Sequence, residues 1–407
     1  MRFLRTVSTQ RLLAILAGVI IAAAGGTAIA VAASGSGATP PRESLAQALH
    51  QAATAPQVSG ISARIKFTNN LISSSDLQGS DPILNGASGR IWVSGDGRAR
   101  LELQGENGDA QVLLDKDSFS IYDPMSNTIY KGSLPSDSST KDKASSDKIP
   151  TVAQIQTEIN RLLQHVNLVG PTPRNVAGQP AYKIEVSPKH DGGLLGNIQL
   201  AWDAAHGVPL GIAVYAQGSS SPVLEIKATR ISYGSIPNGD LSIKGHPGAK
   251  VVRVSPTAGH AAKRGKHATK GARPHALLTG PAAVQAHLPF TLVAPDSLVG
   301  VSRQSVELLD WGGSPAALVT YGQGLGGIAV IEQGASSQST STSQSGADHQ
   351  GLSLPTVSIN TAKGISGQEL ATALGTVIRF TNGPVEYTVL GSIPPTAAEA
   401  AARQLAP

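Results

Sequence analysis

Residues 89–131 read GRIWVSGDGRARLELQGENGDAQVLLDKDSFSIYDPMSNTIYK. Five strand-like runs stand in this stretch: Gly89 to Ser94, Ala99 to Gln104, Ala110 to Leu114, Ser118 to Tyr122 and Thr128 to Lys131. Three of the separators are Gly95-Asp96-Gly97, Asp115-Lys116-Asp117 and Asp123-Pro124-Met125-Ser126-Asn127, whose lengths and residue types suit hairpins. The stretch therefore predicts an antiparallel meander. The run Val58 to Phe67 precedes it, and Ala181 to Ser187, Asn197 to Asp203, Pro209 to Ala216 and Val223 to Tyr233 follow. In Tyr182-Lys183-Ile184-Glu185-Val186 and Val223-Leu224-Glu225-Ile226-Lys227, apolar and polar residues alternate, which buries one sheet face and wets the other.

Two helices interrupt the strands. Ser44 can cap a helix that sets Leu45, Ala48, Leu49 and Ala52 on one face and stops near Pro56. Thr151 with Gln154 forms a capping box, and Val152, Ile155, Ile159, Leu162 and Val166 follow at helical spacing, an apolar stripe suited to a sheet. Between them, residues 133–148 are Ser, Asp and Lys with almost no apolar side chain, a solvated loop.

The N-terminus sets the compartment. Arg2, Arg5 and Arg11 precede a run from Leu12 to Ala33 with no charged residue, long enough to cross a bilayer core of roughly 30 Å at ~1.5 Å per residue. The positive-inside bias keeps residues 1–11 cytoplasmic and sends the rest outward. Ala28-x-Ala30 and Ala30-x-Ala32 also fit a signal-peptidase site, so cleavage and release is the alternative to a single-pass anchor. The absence of cysteine excludes disulfides, thiolate metal sites, a cysteine nucleophile and a lipidated N-terminal cysteine.

The chain divides into a cytoplasmic tail (1–11), an apolar segment (12–33), a spacer (34–43), a first domain (44–240), a basic linker (241–278) and a C-terminal domain (279–407). A Ser/Thr/Gln-rich insertion at 334–351 interrupts the last, which has strand-like runs at Gln304 to Trp311, Ala316 to Tyr321, Gly327 to Gln333, Thr376 to Thr381 and Val385 to Leu390. A final Ala-rich helix follows Thr396. The linker carries Lys244, Lys250, Arg253, Lys263, Arg264, Lys266, Lys270 and Arg273 and no acid among them, against a net charge of +5 for the whole chain. It suits either a contact with anionic lipid headgroups or cell-wall polymers, or a self-repelling spacer; outside the cytoplasm nucleic acid is not the expected partner.

Several phrases carry a family resemblance: Val58-Ser59-Gly60, Asp115 to Asp123 (DKDSFSIYD), Val176-Ala177-Gly178-Gln179-Pro180-Ala181-Tyr182, and Gln199-Leu200-Ala201-Trp202-Asp203 followed by Gly207-Val208-Pro209-Leu210. With the order helix, meander, amphipathic helix and closing strands, residues 44–235 resemble the bacterial lipoprotein-carrier and lipoprotein-sorting superfamily. That superfamily includes the RseB- and MucB-type periplasmic regulators of extracytoplasmic sigma factors. The resemblance implies an α+β fold: a curved antiparallel β-sheet, or half-barrel, packed on helices, followed here by a smaller α+β C-terminal domain. It further implies a non-catalytic protein that holds a lipid or lipoprotein acyl chain in an apolar groove without a cofactor. Candidate lining residues are Ile65, Phe67, Ile91, Val93, Leu101, Leu103 and Val214; the same residues also suit ordinary core under the helix. A regulator that contacts an anti-sigma factor is the alternative, and an enzyme acting on envelope polymers the third reading.

Catalytic and metal motifs do not anchor the third reading. Gly322-Gln323-Gly324-Leu325-Gly326-Gly327 has G-x-G-x-x-G spacing, but Ile328-Ala329-Val330-Ile331 continues as a strand where phosphate binding needs a helix. Ser138-x-x-Lys141 and Ser145-x-x-Lys148 lie in the charged loop, and there is no H-E-x-x-H pair or G-x-S-x-G serine. His260, His267 and His275 stand in the linker without the fixed geometry a metal site needs.

Overall fold

The computed structural model describes residues 38–72, 85–106, 108–115, 117–133, 150–189, 192–243, 247–254, 278–311, 314–335 and 356–407. The apolar segment 12–33, the two S-x-x-K sites, the three linker histidines and most of the Ser/Thr/Gln insertion lie outside them. Among the described residues no helix is long and apolar enough to cross a membrane.

The first unit opens with helix α1 (Leu45–Thr54), followed by β1 (Gly60–Asn69), β2 (Ala87–Ser94), β3 (Ala99–Leu103), β4 (Ala110–Asp115), β5 (Ser118–Asp123) and β6 (Thr128–Ser133). Helix α2 (Val152–Leu162) leads into β7 (Val166–Val176), β8 (Gln179–Pro188), β9 (Leu195–Asp203), β10 (Pro209–Ala216), β11 (Leu224–Tyr233) and β12 (Lys250–Val254). Both helices begin with capping boxes, Ser44 with Gln47 and Thr151 with Gln154, which satisfy otherwise orphaned N–H groups at each start. The strands form one curled sheet in the order β12-β6-β5-β4-β3-β2-β1-β11-β10-β9-β8-β7, antiparallel except where β12 runs parallel to β6.

That order is two antiparallel meanders, β1 to β6 and β7 to β11, welded by the β1–β11 pair. On the inner face, Leu45, Ala46 and Ala48 of α1 and Ile159 of α2 cluster with Tyr182, Ile184, Leu200 and Trp202, so the helices cover the β8–β9 half of the sheet. At the β9–β10 turn, fully buried Asp203 accepts hydrogen bonds from the Tyr233 hydroxyl (2.6 Å) and from the N–H groups of Ala205 (2.7 Å) and His206 (2.9 Å). The Trp-Asp phrase read from the sequence is thus a turn lock.

Two expectations are corrected here. Val166 does not close the stripe of α2, which ends at Leu162; it begins β7, an edge strand whose register shifts between Val169 and Thr172, around Gly170-Pro171. Prolines are tolerated there because an edge strand has one unpaired side and a bulge needs no ladder N–H. Lys250–Val254, inside the basic stretch, is a strand at the opposite edge, preceded by a 3-10 turn at Asn238–Leu241 that lies against β3 through a hydrogen bond from Arg100 to the Asp240 carbonyl.

The second unit holds α3 (Pro281–Gln285), β13 (Ser297–Leu298), β14 (Val301–Trp311), β15 (Ser314–Tyr321), β16 (Ile328–Gly334), β17 (Thr356–Asn360), β18 (Ile365–Thr372), β19 (Gly375–Asn382), β20 (Val385–Gly391) and α4 (Pro395–Leu405). Its sheet runs β13-β14-β15-β16-β20-β19-β18-β17. The Gly-rich segment at 322–327 joins β15 to β16 as a hairpin, as the strand after it requires. Ala398, Ala401, Ala402 and Leu405 of α4 are fully buried in a cluster with Val319, Val330, Ile378 and Val389. The two units touch where the Leu194 N–H meets the Ser392 carbonyl and hydroxyl (3.1 and 3.0 Å) and the Ala373 N–H meets the Leu71 carbonyl (2.9 Å).

One charged group sits deep in this second core. Glu332 is fully buried; its Oε2 accepts from the Val293 N–H at 2.9 Å and its Oε1 has no partner among the described residues. Burial pushes its carboxyl up to about 7, against the single hydrogen bond that favours the charged form. The native state therefore keeps a proton that the unfolded chain loses near 4.5, the ordinary value for a glutamate, and stability falls as pH rises from there to about 7. The fall amounts to about 3 kcal/mol. Urea unfolding of the wild type and Glu332→Gln at pH values below and above this window is expected to show the fall in the wild type only.

Candidate ligand face of the large sheet

Because side chains alternate across a strand, the pairing register sorts the inner face into rows that cross the sheet. One row reads Ile184, Leu200, Ile212, Ile226, Phe67 and Ala87, from β8 to β2. The next is Ala228, Ile65, Gly89, Leu103 and Ala110. A third runs Ile231, Ala63, Ile91, Leu101, Val112, Ile121, Tyr130 and Val252, from β11 to β12.

The middle row is the low one. Ala228, Gly89 and Ala110 carry little or no side chain, and Ile65 and Leu103 are 4% and 5% exposed. Gly89 is glycine for a close approach: a Cβ there would stand 2.1 Å from the Glu102 carbonyl oxygen. The flanking rows rise beside it, with Phe67, Ile226, Ile91 and Leu101 only half-buried. From β11 to β4 the low row spans about 19 Å at ~4.8 Å per strand. No described helix packs on β2 to β6 in the apolar clusters, since α1 and α2 sit with β7 to β10.

Of the seven sequence candidates, Ile65, Phe67, Ile91, Leu101 and Leu103 share one apolar cluster. Val93 lies on the same face one row further on, between Ile61 and Ala99. Val214 is also on the inner face, but in the row Val186, Ile198, Val214 and Leu224 beyond Phe67. Sequence reasoning missed Ile212, Ile226, Val112, Ile121 and Tyr130, because only the register places them beside the candidates. The alternation around Ile226 was the signal available for that position.

The polar groups nearby perform structural tasks. Tyr233 lies over the His206 ring with centroids 4.1 Å apart, and burial together with the Asp203 carboxylate pushes its hydroxyl far above the ordinary tyrosine range. His206 Nδ1 stands 3.2 Å from Asp203 Oδ1. These three groups tie β11 to the β9–β10 turn. Among the described residues no group of three His, Asp or Glu could hold a metal ion.

No family model matches the chain, and no curated protein matches it. Among solved structures it is similar to MucB in complex with MucA(peri), at 15% identity over 84% of this chain and 91% of that one, TM-score 0.39. It is similar to the Pseudomonas aeruginosa MucA/MucB complex structure at 16% identity, covering 88% and 96%, TM-score 0.40. It is also similar to a putative outer membrane lipoprotein-sorting protein domain from Vibrio parahaemolyticus at 9% identity, covering 45% and 89%, TM-score 0.15.

Asp203 is the residue on which the lock between β9, β10 and β11 turns. Asp203→Ala strands two turn N–H groups and the Tyr233 hydroxyl, and thermal or urea unfolding is expected to show a loss of about 2–4 kcal/mol.

Proposed function

We propose that the chain is an extracytoplasmic, non-catalytic binding protein that holds an acyl chain, free or on a lipoprotein, along the inner face of its large sheet. The carrying observation is the low row Ala228-Ile65-Gly89-Leu103-Ala110 between half-buried apolar rows, on the half of the sheet that no described helix covers. Its length suits an extended hydrocarbon chain, and apolar contact there contributes roughly 25 cal/mol per Å² removed from water. The sequence supports the compartment: the apolar segment 12–33 exports the chain and, if retained, tethers it with the N-terminus cytoplasmic. A regulator contacting an anti-sigma factor is the alternative, and it rests on the sequence resemblance.

The test uses a fluorescent fatty acid titrated into the full chain in nonionic detergent, with extraction and weighing of any copurified lipid. Ile91→Asn is expected to weaken binding by about tenfold, because it puts an amide into an apolar row. Val152→Asn, at an exposed apolar residue of α2, is expected to leave it unchanged. A chain that copurifies no lipid and ignores the fatty acid sinks the acyl-chain reading.

A further inference from the structure

The outer face of the large sheet, opposite the helices, is charged, and part of its charge has a partner. Arg100 is 5% exposed, lies 4.9 Å from the Trp92 ring centroid, and donates to Glu102, to Gln111 Oε1 (3.0 Å) and to the Asp240 carbonyl (3.2 Å). Lys227 pairs with Glu225 at 2.8 Å. Lys183 Nζ donates to Gln199 Oε1 at 3.3 Å.

Between these groups the register sets three arginines side by side. Arg64 on β1 stands opposite Arg90 on β2 and opposite Arg230 on β11. Lys66, the next outward residue along β1, stands opposite Lys227 and Ser88. Arg64, Lys66, Arg90 and Arg230 are all exposed, and none of them forms an ion pair among the described residues. Glu102 is the cross-strand neighbour of Arg90, yet its carboxylate is held by Arg100.

This arrangement costs stability, since like charges directly opposite weaken a sheet. It also depends on an irregularity. From Lys66–Lys227 and Ile65–Ala228 the pairing would continue in step to Arg64–Thr229, but a bulge places Thr229 aside and brings Arg230 opposite Arg64. Bulges of this kind re-aim side chains. With strands ~4.8 Å apart, the three guanidinium stems rise from a line about 10 Å long.

We propose that the Arg90-Arg64-Arg230 row, with Lys66 beside it, is a docking surface for an extended acidic polypeptide segment. Guanidinium forks bind carboxylates bidentately, and a rigid row of them suits carboxylates that a backbone holds at fixed spacing; an extended strand turns alternate side chains to one face about 6.8 Å apart. Ser62, Ser88, Thr229 and Ser232 surround the row, and the exposed large apolar residue in the same register, Val251, stands on the far edge strand β12 rather than beside the arginines. A surface built for a lipid headgroup layer would pair its cations with apolar groups that insert. The inference is independent of the acyl-chain reading, because it uses the opposite face of the sheet.

The experiment measures fluorescence anisotropy of a labelled peptide of alternating Glu and Ser, titrated with the full chain in nonionic detergent at low and at physiological salt. The wild type is expected to bind, more weakly as salt rises. Arg64→Glu is expected to weaken binding by about tenfold or more at low salt, while Arg174→Gln, at an exposed cation on β7, changes it by less than about twofold. Arg64→Gln should melt no lower than the wild type, which separates loss of docking from loss of fold. Absence of wild-type binding, or an Arg64→Glu affinity within about twofold of the wild type, overturns the proposal. Displacement of the peptide by micelles doped with phosphatidylglycerol as effectively as by unlabelled peptide assigns the row to lipid headgroups and also overturns it.

Discussion

The register of β1 against its two neighbours is the constraint on which the large sheet depends. A slip of one residue would turn Ala63, Ile65 and Phe67 outward and Arg64 and Lys66 inward, placing charges among the apolar rows. The pairing is therefore specified by side-chain alternation on both sides, and the bulge at Thr229 is absorbed without disturbing it: Ala63 still meets Ile231, and Phe67 still meets Ile226. The inner apolar rows and the outer cation row are two faces of one set of pairings.

The meander β2 to β6 was legible because each strand is short, alternating and bounded by hairpin residues, and the observed bounds fall within a residue or two of the readings. The N-cap at Ser44 and the capping box at Thr151 located both helices for the same kind of local reason. What escaped was structure whose cause is not local. β7 contains Gly170, Pro171 and Pro173, residue types that favour turns, and they are tolerated because the strand is at an edge. β12 lies within basic residues and is a strand because β6 offers it a free edge. In the second unit, β17 and β18 went unread beside the Ser/Thr/Gln tract, although Val357, Ile359 and Ile365 carry an alternating signal.

For the candidate face, the resemblance put Ile65, Phe67, Ile91, Leu101 and Leu103 on the concave side, and the structure brings these five into one cluster. The resemblance could not select Ile212 or Ile226, whose place beside Phe67 is set by strand order across more than a hundred residues of chain. The arginine row was invisible for a stronger reason: positions 64, 90 and 230 share no local pattern, and only the pairing together with one bulge makes them neighbours.

The β1–β11 weld also dictates when this protein can exist as a folded body. β1 emerges early and stays without one neighbour until Leu224–Tyr233 has followed, so the sheet closes only after both meanders are made. Contacts of such sequence separation are slow to form, because loop closure must precede any gain from pairing. Until then β1 presents an open ladder edge, and its early neighbours alone do not complete the core. A topology whose decisive pair joins residues 60–69 to 224–233 keeps the first unit open until more than half of the chain is available.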